Sequence, residues 1–498
     1  MNSSLQHIKK GPIIAALMIG AVVAFLNQTL MNVALPKMME TLGIEASTAQ
    51  WLTTGFMLVN GVLIPVTAFL IARFTTRQLF ITSMALFSIG TFLCAISPNF
   101  SLLMTGRVVQ AMGAGILMPL MTVVFLNIFP IEKRGQAMGT MGIAMIFAPA
   151  VGPTLSGWII ENYNWHVLFW MILPFAVLSM LIGIFFVKNV TETSKPKLDF
   201  LAVVLSTIGF GGLLYGFSDA GTDGWGSATV ISCLIIGALA VIVFILRQMK
   251  VENPMLEFRI FKYNMYSLTT VINVLITMAM YAGMILLPIF LQQIRGFTPV
   301  ESGLLMLPGA LLMGVMSPIT GAIFDRVGAR WLAVIGLIIT VITSWEFANL
   351  TVDITYTKLM IIYTARMFGM SMLMMPIQTA GLNQLPQRLN AHGTAMSNTL
   401  RTIGGSIGTA LLVTIMTNKA KSHGQELAAG LQAAPDKAAM AQIQVDSTIY
   451  GINYAFIVAT GFAAAALVLA FFIKRTKPHA ENNIMEHSEV KKTVETTA

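Results

Sequence analysis

Charge is what this sequence has least of. Only 10% of its 498 residues are Asp, Glu, Lys or Arg, while 56% are hydrophobic. A soluble domain carries about 25% charged residues, so this chain has too little charge to cover a water-facing surface. One large buried core is excluded by the apolar runs. A membrane span needs about 20 mostly apolar residues, and many such runs occur in a chain of mean hydropathy +0.77. Cysteine is nearly absent. Cys94 and Cys233 both lie in apolar runs, which points to neither a disulfide framework nor a metal site. No G-x-x-x-x-G-K-[ST] loop occurs, and no soluble stretch could hold a nucleotide-hydrolysing domain, which disfavours an ATP-driven pump. Nothing implies a cofactor or an enzyme. The net charge of +9 would suit nucleic acid, but the placement of the charges follows membrane topology instead, so no nucleic-acid partner is expected.

What is present is a succession of apolar runs. They lie at 12–35, 50–72, 78–97, 101–129, 135–158, 166–187, 200–217, 228–246, 266–290, 302–324, 331–350, 357–383, 393–416 and 449–473. Helices are expected, because unpaired backbone groups are not tolerated in lipid and the runs exceed barrel-strand length. The first run follows Lys9 and Lys10 and reads as a span rather than a cleavable leader. With a cytoplasmic N-terminus, 21 of the 30 Lys and Arg fall inside, six fall outside and three lie within spans. A miscounted span would invert every later loop and spoil that asymmetry. The charge pattern therefore predicts 14 spans with both termini cytoplasmic.

The chain also repeats itself. SLLMTGRVVQAMGAGILMPLM at 101–121 echoes KLMIIYTARMFGMSMLMMPIQ at 358–378. RGQAMGT at 134–140 echoes AHGTAMSN at 391–398, and ARFTTR at 72–77 echoes DRVGAR at 325–330. These matches pair span 4 with 12 and span 5 with 13. The unit is six helices, with two helices inserted between copies. The expected domains are a six-helix bundle at 1–187, linkers and the inserted pair at 188–262, a second bundle at 263–477 with an outer loop at 417–448, and a tail at 478–498. Parallel six-helix repeats are a transporter plan, with substrate held near the midplane between the halves.

Four motifs stand out. GAIFDRVGAR at 321–330 supplies Gly321, Asp325, Arg326, Gly328 and Arg330. A carboxylate at a helix end can cap a neighbouring helix, and arginines give directional pairs that break and reform. Its first copy keeps Arg73 and Arg77 but has Ala68, Ala72 and Thr75 in place of Gly321, Asp325 and Gly328. LMTGRVVQAMGAGILMP at 103–119 buries Arg107, with Gln110 one turn on. An arginine in hydrocarbon is a functional candidate unless carbonyls alone hold it. GIAMIFAPAVGPTLSGWI at 142–159 places Gly142, Pro149, Gly152, Pro153 and Gly157 where a helix bends and slides, or merely crosses another closely. FLNQTLMNVALP at 25–36 puts Asn27, Gln28, Thr29 and Asn32 in the first span.

These motifs resemble the major facilitator superfamily in its 14-spanner drug:proton antiporter branch, and most of all lincomycin-resistance-type multidrug exporters of Gram-positive bacteria. The resemblance covers the spans but neither the loop 417–448 nor the tail. It implies an all-α membrane protein with the major facilitator fold. It also implies proton-coupled export of small amphipathic compounds across a bacterial cell membrane by a monomer in the bilayer. In it, the arginine at the place of Arg107 is linked to proton coupling, the 321–330 loop closes the cytoplasmic side, and the 142–159 signature goes with exporters. One departure matters. Relatives carry an acid where this chain has Asn27, and an Asn–Arg pair cannot titrate.

The membrane interior is accordingly expected to hold Arg107, Arg366 and Arg401 against a single acid, Glu346. Arginine stays charged in proteins, so proton coupling would fall to Glu346 or Asp325. Glu346 and Arg366 are expected at comparable depth, where they pair either for coupling or as a structural bridge. Arg401, in RTIGGSIG, either lines the path or packs on the small residues after it. Excess positive charge favours an anionic or amphiphilic substrate. An alternative task is export of an endogenous anionic metabolite or lipid, with drug efflux incidental. Met-rich faces such as MSMLMMP at 370–376, and Phe25, Asn273 and Tyr281, are candidate cavity lining.

Overall fold

A computed structural model describes residues 10–191, 193, 199–220, 224–252, 254–429 and 437–474. Its elements are α1 (Lys10–Leu42), α2 (Ala46–Arg73), α3 (Thr76–Ala95), α4 (Phe100–Ile128), α5 (Arg134–Asn162), α6 (His166–Phe186), α7 (Phe200–Ala220) and α8 (Ala228–Lys250). After these come α9 (Asn264–Ile289), α10 (Pro299–Val327), α11 (Ala329–Phe347), α12 (Tyr356–Ser371), α13 (Met374–Leu382), α14 (Asn390–Ala429) and α15 (Lys437–Ala470). Among the described residues there is no strand.

Thirteen helical segments are long and apolar enough to cross a membrane, with α12 and α13 forming one of them. The remaining predicted span is α5, part of whose side chains lie outside the described residues. The twelfth predicted span is broken at Met372–Leu373. The outer segment 417–448 is largely helical. α14 runs on to Ala429 and α15 begins at Lys437, with 430–436 outside the described residues. The tail after Lys474 also lies outside them.

Local chemistry sets the helix ends. Thr75 opens α3 with a capping box closed by Gln78, and Thr298 opens α10 with one closed by Glu301. Asn99 accepts from the Leu102 N–H at 3.0 Å to start α4. Gly328 takes φ +90° between α10 and α11, a conformation that favours glycine.

One apolar core runs from Ile13 to Val190 and is shared by α1 to α6. Two others gather residues between Ile272 and Ile473, from α9 to α15. A fourth joins α2, α7, α8, α9 and α14. The inserted pair packs backbone to backbone, Gly212 of α7 against Gly237 of α8. It leans on both bundles. Trp51 of α2 stacks on Tyr215 of α7 with centroids 5.5 Å apart, and Trp225 donates to the Thr414 hydroxyl of α14 at 2.8 Å.

Candidate functional site

Two arginines are wholly buried, one in each bundle. Arg107 of α4 donates through Nη1 to Gln110 Oε1 at 3.0 Å and through Nε to the Leu52 carbonyl of α2 at 3.1 Å. Its guanidinium also lies over the Phe56 ring, 4.3 Å from the centroid. Gln110 is the hub. Its Oε1 accepts from Asn27 of α1 at 3.2 Å, and its Nε2 donates to Thr91 of α3 at 2.8 Å. Asn27 is only 2% exposed. Four helices thus converge on one arginine, and the network around it holds no carboxylate.

Arg366 of α12 repeats the arrangement in the second bundle. Its Nη1 donates to Ser344 of α11 at 2.6 Å and its Nη2 to the Ala279 carbonyl of α9 at 2.7 Å. The 253-residue offset that carries Arg77 onto Arg330 also carries Thr91 onto Ser344. Neither hydroxyl was singled out from the sequence, although that offset could have found both.

The expected Glu346–Arg366 pair is not present. Glu346 sits one residue from the end of α11, with its side chain 47% exposed and 3.6 Å from Lys358. The apolar run had been extended to residue 350, which placed Glu346 a turn too deep. The helix stops at Phe347 because the chain turns there. Among the described residues, then, no acid accompanies the buried arginines. Arg401 of α14 is half-buried, with Tyr281 as its electrostatic neighbour and Gly405 against the Tyr281 ring. Gln28 is half-buried. The side chains of Asn32, Pro149 and Pro153 lie outside the described residues.

The bundles meet where α10 ends and α5 begins. Asp325, at the end of α10, accepts from the Gly135 N–H at 2.7 Å and the Gln136 N–H at 2.9 Å, capping α5 with both oxygens. Gly321 lies on the Gly135 carbonyl, where no side chain fits. Arg134 donates to Asn383 at 3.1 Å and Gln387 to Asn127 at 3.3 Å, adding two further bonds across the seam. Sequence reasoning missed Asn383 and Asn127, since neither belongs to a motif. Arg330 and Arg326 are exposed, with the Arg330 guanidinium over the Trp331 ring. In the first copy, Arg73 is exposed, and Arg77 donates to the Ile184 carbonyl at 2.5 Å inside its own bundle.

α5 is the shared wall. It stays helical through its glycines and prolines. Gly142 faces Ser317 of α10, Gly152 faces Thr29 of α1, and Gly157 is in ordinary contact with Val300. Thr29 donates to the Leu26 carbonyl at 2.9 Å and lies 3.3 Å from the Ala148 carbonyl, and Ser156 donates to the Leu30 carbonyl at 2.9 Å. The glycines let α5 lie flush against both neighbours.

Residues 17–409 match the family described as the Major Facilitator Superfamily. The chain is 50% identical to the uncharacterized MFS-type transporter YhcA of Bacillus subtilis (strain 168), covering 95% of each. It is 44% identical to the lincomycin resistance protein LmrB of the same organism, covering 95% of this chain and 97% of that one. The fold is similar to the crystal structure of the human organic anion transporter MFSD10, with a TM-score of 0.63 at 13% identity, over 93% of this chain and 99% of that one.

Proposed function

The chain belongs to the major facilitator superfamily, a transporter of the cell membrane, and from that premise we propose that it exports amphipathic compounds by alternating access in exchange for protons. The observation that carries this reading is the Asp325 clasp. One carboxylate holds the start of α5 with two charge-assisted hydrogen bonds between bundles. Each such bond contributes about 1.5–3 kcal/mol, enough to bias a two-state seam and small enough to be reversed. Rocking of the bundles breaks and remakes it. The resemblance to a lincomycin resistance protein supports drug efflux as the task.

Proton coupling needs a group whose proton affinity differs between the two states. Glu346 is exposed and salt-bridged at the outer end, so Asp325 is the motif carboxylate that moves between environments. The arginines Arg107 and Arg366 act in this reading as fixed positive charges buried in the two bundles, felt along the path through the low-dielectric interior. They favour amphiphiles with an anionic or polar head.

The test is transport in proteoliposomes under an imposed pH gradient, with a quaternary-ammonium dye, a lincosamide and an anionic amphiphile compared. Uphill movement that collapses with the gradient supports antiport. Transport indifferent to the gradient overturns it, and a preference for dyes over anionic amphiphiles overturns the charge argument.

A further inference from the structure

The two copies of the cytoplasmic clasp are not alike. At the start of α5, the repeat RGQAMGT brings the Gly135 and Gln136 N–H groups to Asp325, while the Arg134 side chain donates to Asn383. At the start of α14, its counterpart AHGTAMSN brings His392, Gly393 and Thr394, and the residue at the place of Asp325 is Ala72. The ends of α2 and α14 are neighbours. Gly61 faces Thr402, and Ala68 and Phe69 share a core with Ala395 and Met396, so the antiparallel register carries Ala72 to the first turn of α14.

This turn is unusually short of partners. Ten buried side-chain polar atoms among the described residues have no hydrogen bond, and four of them fall between residues 390 and 394. They are both amide atoms of Asn390, Nδ1 of His392 and Oγ1 of Thr394. Asn390 is 1% exposed and Thr394 is wholly buried. Buried polar groups without protein partners are satisfied by water. The clasp on α5 is closed by a carboxylate, whereas the repeat has an alanine, Ala72, in the matching place and a histidine at the start of α14.

We propose that His392 is a proton-binding switch at the α2–α14 seam, so that opening and closing of this half of the cytoplasmic face is tied to pH. This inference rests on the alternating-access reading. The repeat has a permanently charged arginine, Arg134, at the position in α5 that the titratable His392 takes in α14. The His392 Nδ1 is shut from solvent without a partner. Glu257, in the segment before α9, is the charged group that acts on it. Arg259 is 3.6 Å from Glu257, Arg388 lies in the turn before α14, and α2 ends in Arg73. From α9 the Tyr266 phenol donates to the Gly393 carbonyl at 2.8 Å. An imidazole that leaves this turn for bulk water exchanges its surroundings, and by linkage its proton occupancy changes with the movement.

The experiment measures the seam rather than transport. Spin labels on Phe74→Cys and Arg388→Cys, in Cys94→Ser/Cys233→Ser protein in nanodiscs, report the distance between the ends of α2 and α14 from about pH 5.5 to 8, bracketing the ordinary histidine range. The expected result is a distance distribution that shifts with pH in the parent. The shift is lost in His392→Gln and in His392→Arg. A pH-dependent shift that survives in both His392 variants, or no shift in the parent, overturns the proposal. Monodisperse gel filtration of each variant shows that it is folded. Failure of antiport in proteoliposomes with an intact pH response would instead sink the functional reading alone.

Discussion

Asn27 and Arg107 are joined only through Gln110, whose Oε1 accepts from both, at 3.2 and 3.0 Å. The first bundle therefore satisfies its buried arginine with neutral groups, and the hub is an amide that cannot titrate. Gln110→Leu removes the side-chain acceptor of Arg107 among the described residues, leaving the Leu52 carbonyl and the Phe56 ring, and strands Asn27 and Thr91 as well. Loss of a hydrogen bond to a charged group costs about 1.5–3 kcal/mol, and the stranded neutral groups add to it. Asn27→Leu removes one neutral bond and costs about 1–3 kcal/mol. Thermal unfolding in detergent is expected to rank wild type above Asn27→Leu, and that above Gln110→Leu. Equal losses would mean that Gln110 is not the hub.

Asn27→Asp puts an acid where the family resemblance leads one to expect it. The carboxylate would stand beside Gln110 in the same network as Arg107. Transport is expected to become more steeply dependent on an imposed pH gradient than in wild type. An unchanged gradient dependence, with the protein still folded, would show that the first bundle takes no part in coupling.

Much of this was legible in the sequence. The all-helical membrane fold, thirteen of the fourteen expected spans and the burial of Arg107 and Arg366 follow from hydropathy and from where Lys and Arg fall, whereas Arg401 is only half-buried. The role of Gln110 as a hub was not legible, because a hub is a matter of which helices meet. Thr91 and Ser344 were legible only through the repeat offset. Glu346 was misplaced because hydropathy does not see where a helix stops. The apolar run continues through Ala348 and Leu350, while the α-helix ends at Phe347.

Gly321 tests the clasp through packing instead of charge. A side chain there would collide with the Gly135 backbone carbonyl, which cannot turn aside as a flexible side chain can. Gly321→Val is expected to push α10 off α5 and to cut transport at least as severely as Asp325→Ala. Cross-linking of cysteines placed at the two helix ends should fall in parallel. Wild-type cross-linking in Gly321→Val would mean that α5 and α10 do not need this close approach.

The inserted hairpin has its own electrostatic tie. Asp199 accepts from Arg247 at 2.7 and 3.0 Å and caps α7 through the Ala202 N–H at 3.1 Å. The Arg247 hydrogen bond is the main cause holding its carboxyl below the ordinary 3.8; partial burial opposes it and the Ala202 cap assists. A depressed carboxylate adds stability that is complete above its unfolded value and is lost as pH falls through the folded one. Acid unfolding of the wild type is therefore expected to include a component below about pH 4 that is missing in Asp199→Asn. Superimposable acid limbs would remove the tie from the account.

Glu346 and Asp325 are the two carboxylates on which the coupling question turns, and the structure separates them. Glu346 faces outward beside Lys358, with its side chain 47% exposed. Ion pairs of this exposure contribute about 0–1 kcal/mol, so Glu346→Gln is expected to leave both stability and gradient-driven transport near wild type. Asp325 is half-buried and its two oxygens hold two backbone N–H groups of the opposite bundle. Asp325→Asn keeps one acceptor oxygen, loses the charge and presents an N–H to a helix start that already has donors. Uphill transport is expected to fall about tenfold or more, the equivalent of one charge-assisted bond. Downhill exchange should fall less, because it needs the seam to move but not to be driven by protons. If Glu346→Gln abolished uphill transport while Asp325→Asn spared it, the proton path would run through the outer end of α11, and the clasp would be a structural contact only.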